Sequence, residues 1–484
     1  MKFLKRKINY ILNQYWEFLL FSVLLTVLVV SCADHIFFWD TVQLGARHAT
    51  FYYDNGLSFE FLPNRIDSGH IPSFGYLLAV CWTLFGKSLL VSHLFVLPFA
   101  IGIAWQAHRF LNHFISKKNL IWAMLLLFLD TTFLSQVSLV SPDIPLLFFF
   151  LFALNSILTN KRVSVAVAFS LLFLVSMRGM ILTVPLFLFD VYLHSNFSFK
   201  KIKTSLITIV KLGIPYLPAA SIFIGFSWFH FTQKGWIGYH EDSPWAIFFQ
   251  RVGFSGVIKN TAVFGWRLLD FGRVFIWLIG FACLVWIWRK KLKFSNKAKQ
   301  LSVLFLLIIA FLSIPAIIYY DLKGHRYFMP IYFSVTFLVS YLLLEVVQNK
   351  LFQKASLFIG LIGLISGSFW VYPSHIAQGW DSTLGHLSYY QLRDNMIQFM
   401  DEYSIDKSQV GFDFPGGYEQ RFLDLSEETW FFPEVDIENQ EYILFSNVVN
   451  EFSDEELIEL KENWKLIHQE KSITVNFVLY HRGQ

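Results

Sequence analysis

Between the apolar runs of this chain lie short segments rich in acids and cations. The first, residues 34–70, holds Asp34, His35, Asp40, Arg47, His48, Asp54, Glu60, Arg65, Asp67 and His70. Ser141-Pro142-Asp143 places a carboxylate at the mouth of an apolar run, and Arg178-Gly179 places a cation at another. A longer segment adds His240, Glu241, Asp242, Arg251 and Lys259, and a late turn adds Asp321, Lys323, His325 and Arg326. A positioned carboxylate can take a proton from a hydroxyl. Guanidinium, ammonium and imidazole groups can stabilise charge developing on a leaving phosphate. Arg is the best suited of these, through its planar bidentate fork.

Each residue also has a plain structural role open to it. Asp40 precedes Thr41-Val42-Gln43-Leu44, a short helix ending at Asn55-Gly56, and could cap it. Asp143 could cap the helix opening Ile144-Pro145. Arg178 and Arg326 could snorkel to a membrane interface. His240-Glu241-Asp242 is either a metal-binding run or an exposed turn. No Walker loop, HExxH or glycine-rich nucleotide motif is present.

The elements that must position these groups are membrane helices. Of 484 residues, 55% are hydrophobic, 19% aromatic and only 15% charged, with 55 phenylalanines. A soluble core cannot absorb that much apolar surface. Runs of about 20 apolar residues recur from residue 15 to 373, the length that crosses a bilayer. The first, Tyr15 to Ala33, has no small-residue cleavage site after it and reads as a retained helix. Cys32, Cys81 and Cys283 are scattered in apolar surroundings, without a CxxC motif, and read as inert buried or lipid-facing thiols.

Charge divides the chain. Residues 374–484 carry 7 Lys+Arg against 21 Asp+Glu, and residues 1–373 carry the opposite excess, 32 against 14. A boundary is therefore expected at Tyr372-Pro373, between a membrane domain (1–373) and an acidic domain (374–484). The basic residues sit in short loops, which points to membrane topology and not to nucleic acid. Placing the N-terminal Lys-Arg cluster, Lys117-Lys118, Lys161-Arg162, Lys200-Lys201-Lys203, Arg289-Lys290-Lys291-Lys293 and Lys350-Lys354 in the cytoplasm gives about eleven spans. They are 15–33, 88–114, 119–138, 143–159, 162–178, 180–194, 204–231, 270–289, 298–319, 326–347 and 353–373. Ile71 to Gly86 would reach only about 24 Å, and is expected to be an interfacial or re-entrant helix. An odd number of spans puts the N-terminus inside and the C-terminal domain outside. All the acid- and cation-bearing segments above then share the outer face. Ionisable groups converging at a membrane surface are a functional site by default.

The order of the motifs resembles the GT-C glycosyltransferases, in the branch of the protein O-mannosyltransferases and the lipid A aminoarabinose transferases. Phe38-Trp39-Asp40 matches an acid just outside the first span, although the family usually has Asp-Glu where this chain has Asp40-Thr41. Gly69-His70-Ile71-Pro72, ending at Leu84-Phe85-Gly86, matches a His/Lys-Pro-Pro motif with one proline missing. Ser141-Pro142-Asp143, Arg178-Gly179 and Arg326-Tyr327-Phe328-Met329-Pro330 match the later outer motifs in order. The resemblance spans about residues 10–373.

It implies an all-α polytopic GT-C-like membrane domain with interfacial helices, in the cell membrane. It also implies a donor sugar linked to polyprenyl phosphate, used from the outer leaflet with inversion at the anomeric carbon. Asp40 would be the general base and Asp143 its support. His70, Arg178, Lys323, His325, Arg326 and Arg65 would bind substrate. No cofactor or metal site is expected, a divalent ion being left open. The acceptor is a lipid, a glycan or a protein.

The acidic tail reads as a small extracytoplasmic α/β domain. Leu387 to Tyr403 is amphipathic helix, and 409–414, 441–445 and 475–480 alternate as strands. Ser453 to Asn463 is a second helix, with Ser453 and Glu456 spaced as a capping box. Two other classes compete with the enzyme. A lipid or polysaccharide transporter would place its ionisable groups at the midplane on broken helices, whereas most here lie at one face. A scaffold or sensor has no specific feature in its favour.

Overall fold

The fold is described from a computed structural model, over residues 2–195, 202–238, 240–243, 245–373, 376–449 and 451–483. Lys200 and Lys201 of the third basic loop, and Ser374 at the expected domain boundary, lie outside the described residues.

All eleven expected apolar runs form helix. α1 (Lys2–Ser31) is followed by a π-helical turn, Val42–Arg47, that continues into α2 (His48–Asp54). α3 (Ser73–Phe85) is the short apolar helix expected over Ile71 to Gly86, packed against α2. The bundle then runs α4 (Leu89–Phe114), α5 (Lys117–Phe128), α6 (Thr131–Ser138), α7 (Asp143–Leu158), α8 (Arg162–Val175) and α9 (Met177–His194). It continues as α10 (Ile202–Gly213), α11 (Leu217–Lys234), α12 (Phe254–Leu269), α13 (Arg273–Arg289), α14 (Asn296–Ile318), α15 (Met329–Tyr341) and α16 (Lys350–Ser366).

Seven helical stretches among the described residues are long and apolar enough to cross a membrane, or up to nine if two bent pairs each count as one span. α7 and α8, with 16 and 14 residues, are shorter. At 1.5 Å per residue they reach only about 24 and 21 Å, less than a 30 Å hydrocarbon core. α7 can be short because it is central, buried along nearly its whole length. The α10–α11 stretch is the opposite case, its apolar side chains largely exposed toward lipid.

Both bends have identifiable causes. α5 and α6 meet at 68°, where Asp130 leaves the helix and caps α6 by accepting from Phe133 N at 3.0 Å. α12 and α13 meet at 86° around Gly272, whose φ is +82°. A Cβ there would fall 2.0 Å from the carbonyl of Gly363, so the turn requires glycine. Across these bends Arg273 reaches Asp130 at 2.7 Å and lies over the Tyr332 ring at 3.8 Å, tying α13 to α6 and α15.

The two ends of the bundle differ in their polar groups. At one end Lys117 pairs with buried Glu17, and Glu345 accepts from Ser116 N and Asn119 Nδ2 at 2.9 Å each. Arg162 pairs with Asp190 at 2.6 Å, also at this end. The basic loops Lys117-Lys118 and Lys161-Arg162 therefore share it. The acid-bearing segments collect at the other.

The C-terminal region comprises α17 (Ser388–Glu402), β1 (Val410–Gly411), α18 (Gln420–Leu423), β2 (Tyr442–Ser446), α19 (Asp454–Asn463), β3 (Trp464–Lys471) and β4 (Asn476–Arg482). The sheet order is β1-β2-β4-β3, with only β1–β2 parallel. The capping box forms as expected: Glu456 N donates to Ser453 Oγ at 3.2 Å, and Ser453 N to Glu456 Oε2 at 2.7 Å. The strand expected over 409–414 shortens to two residues, because Phe412 N turns away to Pro433 O at 2.9 Å. β3 has no counterpart in the expected strands. It is an edge strand carrying Lys465, His468, Glu470 and Lys471, so its alternation is masked by charge. Phe38 and Leu139 of the membrane part are buried in one core with Trp380, Tyr389 and Phe477. The two parts are thus joined by a shared apolar core.

Candidate active site

Asp40 follows Trp39, which sits in the left-handed region at φ 58°. That conformation costs on the order of 1–3 kcal/mol for a bulky residue. Trp39 is held there by packing, its ring edge-on to Phe414 at 4.8 Å. The turn is closed by Thr41, whose hydroxyl donates to Phe38 O at 2.6 Å. The capping role open to Asp40 is not the one it takes. Thr41 is the residue before the π turn, and the Asp40 carboxylate instead pairs with Arg326.

Asp143 is likewise no cap. Pro142 holds the cap position of α7, and Asp143 lies inside the first turn. Its carboxylate is buried, pairs with Arg178, and lies 3.4 Å from Arg326 Nε. Arg178 opens α9, just after Ser176, whose hydroxyl caps that helix by accepting from Gly179 N at 3.3 Å. The Arg178 guanidinium stands 4.3 Å from the centre of the Tyr327 ring. Arg326 lies in a 3₁₀ turn, His325–Phe328, at the start of α15, and is 7% exposed. Neither arginine snorkels.

The Arg326 guanidinium organises the site. It pairs with Asp40 and Asp381, approaches Asp143, and donates to the Tyr327 hydroxyl at 3.1 Å. Three carboxylates thus face two guanidiniums. Burial pushes the Asp40 carboxyl above the usual carboxylate range, with Asp381 and Asp143 adding to the push and Arg326 opposing it.

Asp40, Arg178 and Tyr327 line one end of a cavity of about 260 Å³. Ser68 and His70 line it too, their side chains 2.8 Å apart. Most of the remaining wall is apolar, with Met177 and Ile181 of α9, Leu312 and Pro315 of α14, and Trp245, Phe248, Leu322 and Phe328. A charged mouth over an apolar slot suits a molecule with an anionic head and a hydrocarbon tail.

The other residues singled out in the sequence are distributed unevenly. Burial pushes the His70 imidazole down to about 4, helped by His48 and Arg178 and opposed by Asp67, so it faces the cavity as a neutral group. His325 turns away from the cavity and bonds Asp270 at 2.8 Å. Lys323 donates to Asn260 Oδ1 at 3.0 Å and pairs with Asp321 at 3.3 Å, outside the cavity wall. Arg65 is exposed on a surface turn. His240 and Asp242 form a local pair at 3.4 Å in an exposed turn. Among the described residues no three His, Cys, Asp or Glu side chains are grouped to hold a metal ion.

Two members of the cluster were not among the residues singled out. Tyr327 lay inside a quoted motif. Asp381 lies beyond the charge break, in the acidic part. Its one visible signal is isolation: it is the only Asp, Glu, Lys or Arg from Ser374 to Leu392.

No family model matches the chain, and no curated protein matches it in sequence. Two solved structures are similar to it. One is ArnT from Cupriavidus metallidurans bound to undecaprenyl phosphate, with a TM-score of 0.50 at 12% identity, covering 95% of this chain and 97% of that one. The other is the same protein in the apo state, with a TM-score of 0.51 and the same identity and coverage. At this identity the likeness is one of fold: a polytopic helical architecture with a C-terminal domain, along nearly the whole chain.

Proposed function

We propose that this chain is an integral membrane glycosyltransferase. It moves a sugar from a polyprenyl-phosphate donor to an acceptor hydroxyl on the outer face of the cell membrane. The observation that carries the reading is the ion-paired cluster of Asp40, Asp143, Arg178 and Arg326, of which Asp40 and Arg178 line an apolar cavity and Arg326 and Asp143 pair with them from behind its wall. The shared fold adds support, since the protein that has it was captured with undecaprenyl phosphate.

In this reading the lipid tail lies along α9 and α14, and the donor phosphate sits against Arg178 and Arg326. The acceptor oxygen attacks the anomeric carbon from the face opposite the phosphate, which inverts that centre. The bond from the anomeric carbon to the phosphate oxygen breaks, and the electron pair leaves with polyprenyl phosphate. Asp40 takes the acceptor proton, a contribution of typically 10²–10⁴-fold. The guanidiniums stabilise the second negative charge as it forms on the phosphate. Asp143 keeps Arg178 oriented. The basic-loop pattern puts this end of the bundle, and the C-terminal domain, outside the cytoplasm.

The test is to incubate the purified protein in detergent with radiolabelled polyprenyl-phosphate sugars and a membrane extract as acceptor. Release of polyprenyl phosphate together with label in a new product is expected. Intact donor under all conditions, with bound lipid only, would count against transfer.

A further inference from the structure

Arg326 is surrounded by more acid than one guanidinium needs, and the three carboxylates are not equivalent. Asp143 has its own cation in Arg178. Asp40 is half-buried and faces the cavity. Asp381 is 5% exposed, has no charged partner among the described residues except Arg326, and lies with Arg326 behind the cavity wall, one residue further from it than the arginine that pairs with Asp40. It is placed to touch the arginine and not a substrate.

Asp381 is held through the backbone of its own turn. Its backbone carbonyl accepts from Ser135 Oγ at 2.7 Å and from Gln136 Nε2 at 2.8 Å. The next carbonyl, of Ser382, accepts from Thr132 Oγ1 at 3.1 Å. The Ser382 hydroxyl donates to Asp381 Oδ1 at 3.2 Å. Trp380, just before it, is buried and donates through Nε1 to Asn447 O at 2.9 Å. The turn enters through Gly379 at φ 72°, where a Cβ would lie 3.1 Å from His325 Nδ1. The 3₁₀ turn Trp380–Ser382 is therefore bonded both to α6 and to the C-terminal domain.

The guanidinium divides its donors accordingly. Nη1 bonds Asp381, while Nη2 bonds Asp40 and Tyr327. A carboxylate paired with Arg is a poor proton acceptor, because the neighbouring positive charge favours its ionised form. An arginine saturated by carboxylates is equally poor at binding phosphate. Both limitations are lifted by one exchange. We infer that Asp381 is a positioning residue that anchors Arg326 through Nη1, while Nη2 moves from Asp40 to the donor phosphate, so that donor binding releases Asp40 as the base. This rests on the proposed glycosyl transfer. It gives the C-terminal region a defined part in it: its first turn supplies the fixed end of the exchange.

Asp40 is faced by Arg326 and Tyr327 from the turn before α15, by Asp143 from α7, by Arg178 from α9, and by Asp381 and Tyr418 from the C-terminal region. Asp381 is a like charge and adds to the upward push on the Asp40 carboxyl. Removing that charge leaves Arg326 more fully to Asp40. The acid limb of the pH–rate profile then moves to lower pH, while turnover falls because the base is released less readily.

The experiment compares full-length wild type, Asp381→Asn, Asp381→Glu and Asp40→Asn in detergent, each checked for thermal stability. Donor KM, kcat and the pH dependence of kcat/KM are measured with a radiolabelled polyprenyl-phosphate sugar. Asp381→Asn is expected to lose about tenfold or more in kcat, the scale of a misplaced catalytic group, with the acid limb shifted down. Asp381→Glu keeps the charge but displaces the anchor; it should lose turnover with the limb near its wild-type position. A folded Asp381→Asn with wild-type kcat overturns the inference, and so does a loss of kcat with an unmoved limb. If Asp381→Asn does not fold, wild-type kcat in Asp381→Glu overturns it instead. Retained turnover in Asp40→Asn would condemn the underlying assignment of the base, and not the anchor.

Discussion

Arg326 and Asp40 are 286 residues apart in the chain and bond directly, guanidinium Nη2 to carboxylate Oδ2. The pair joins the turn before α15 to the loop that leaves α1, across the mouth of the cavity. In the proposed reaction, a base and a phosphate-binding cation held against each other describe a site at rest. Asp40 is therefore the first residue to test.

Asp40→Asn should preserve the fold, since the amide can still accept from Arg326, and should abolish proton acceptance. Turnover at saturating donor is expected to fall by about 10²-fold or more, with the melting temperature in detergent nearly unchanged. A folded Asp40→Asn with near-normal turnover would show that the base lies elsewhere.

The pH dependence follows from the environment of Asp40. Burial raises its pKa above the usual value of about 3.9 for an aspartate. The carboxylate is the active form, so kcat/KM should climb as pH rises through that raised value. The linkage to stability runs the other way. A carboxyl whose folded pKa is raised gives its full stabilisation below the unfolded value, and loses it as pH rises through the folded one. A wild-type acid limb at or below about 4 would contradict the assignment.

Arg178 pairs with Asp143, lines the cavity and stands over Tyr327. Arg178→Gln should raise the donor KM about tenfold or more, the scale of a lost charged hydrogen bond. It should do so in protein that still purifies as a folded species. Unchanged donor affinity in both Arg178→Gln and Arg326→Gln would rule out this phosphate site.

Arg273 and Asp130 make a buried pair outside the cavity wall, 2.7 Å apart and 3% and 7% exposed. Arg273→Met leaves the Asp130 carboxylate buried without its cation. Such a loss costs about 3–5 kcal/mol, so thermal stability should drop sharply. A variant as stable as wild type would mean that water or another group compensates.

The outer placement of the C-terminal domain is checked by a reporter fused after Gln484 that is active only in the cytoplasm. It should be silent. A strong signal would invert the topology, and Asp40 would then face the cytoplasm.

The sequence by itself determined whatever depends on local pattern. Apolar length marked the runs that form helix, although among the described residues only seven to nine stretches, and not the eleven expected, are long and apolar enough to cross a membrane. Basic loops gave an expected orientation, and charge composition an expected boundary before the acidic part. Ser453 and Glu456, three residues apart, specified a capping box that forms. The order Asp40, His70, Asp143, Arg178, Arg326 was legible as one set of motifs, and four of the five residues, all but His70, are joined through ion pairs.

Only the tertiary structure decided which of many equivalent charges meet. Lys323, His325 and Arg326 are near neighbours in one turn, yet only Arg326 reaches Asp40, because the 3₁₀ turn points His325 back to Asp270 and leaves Lys323 with Asn260. Asp381 looked like one acid among the many of the second domain. The packing of the Trp380–Ser382 turn onto α6 carries it to Arg326, 55 residues before it. Periodicity and propensity act over a few residues. The pairing of Asp40, Asp143 and Asp381 around one guanidinium is set by how α1, α7, α15 and the C-terminal turn converge, and no local spacing encodes that.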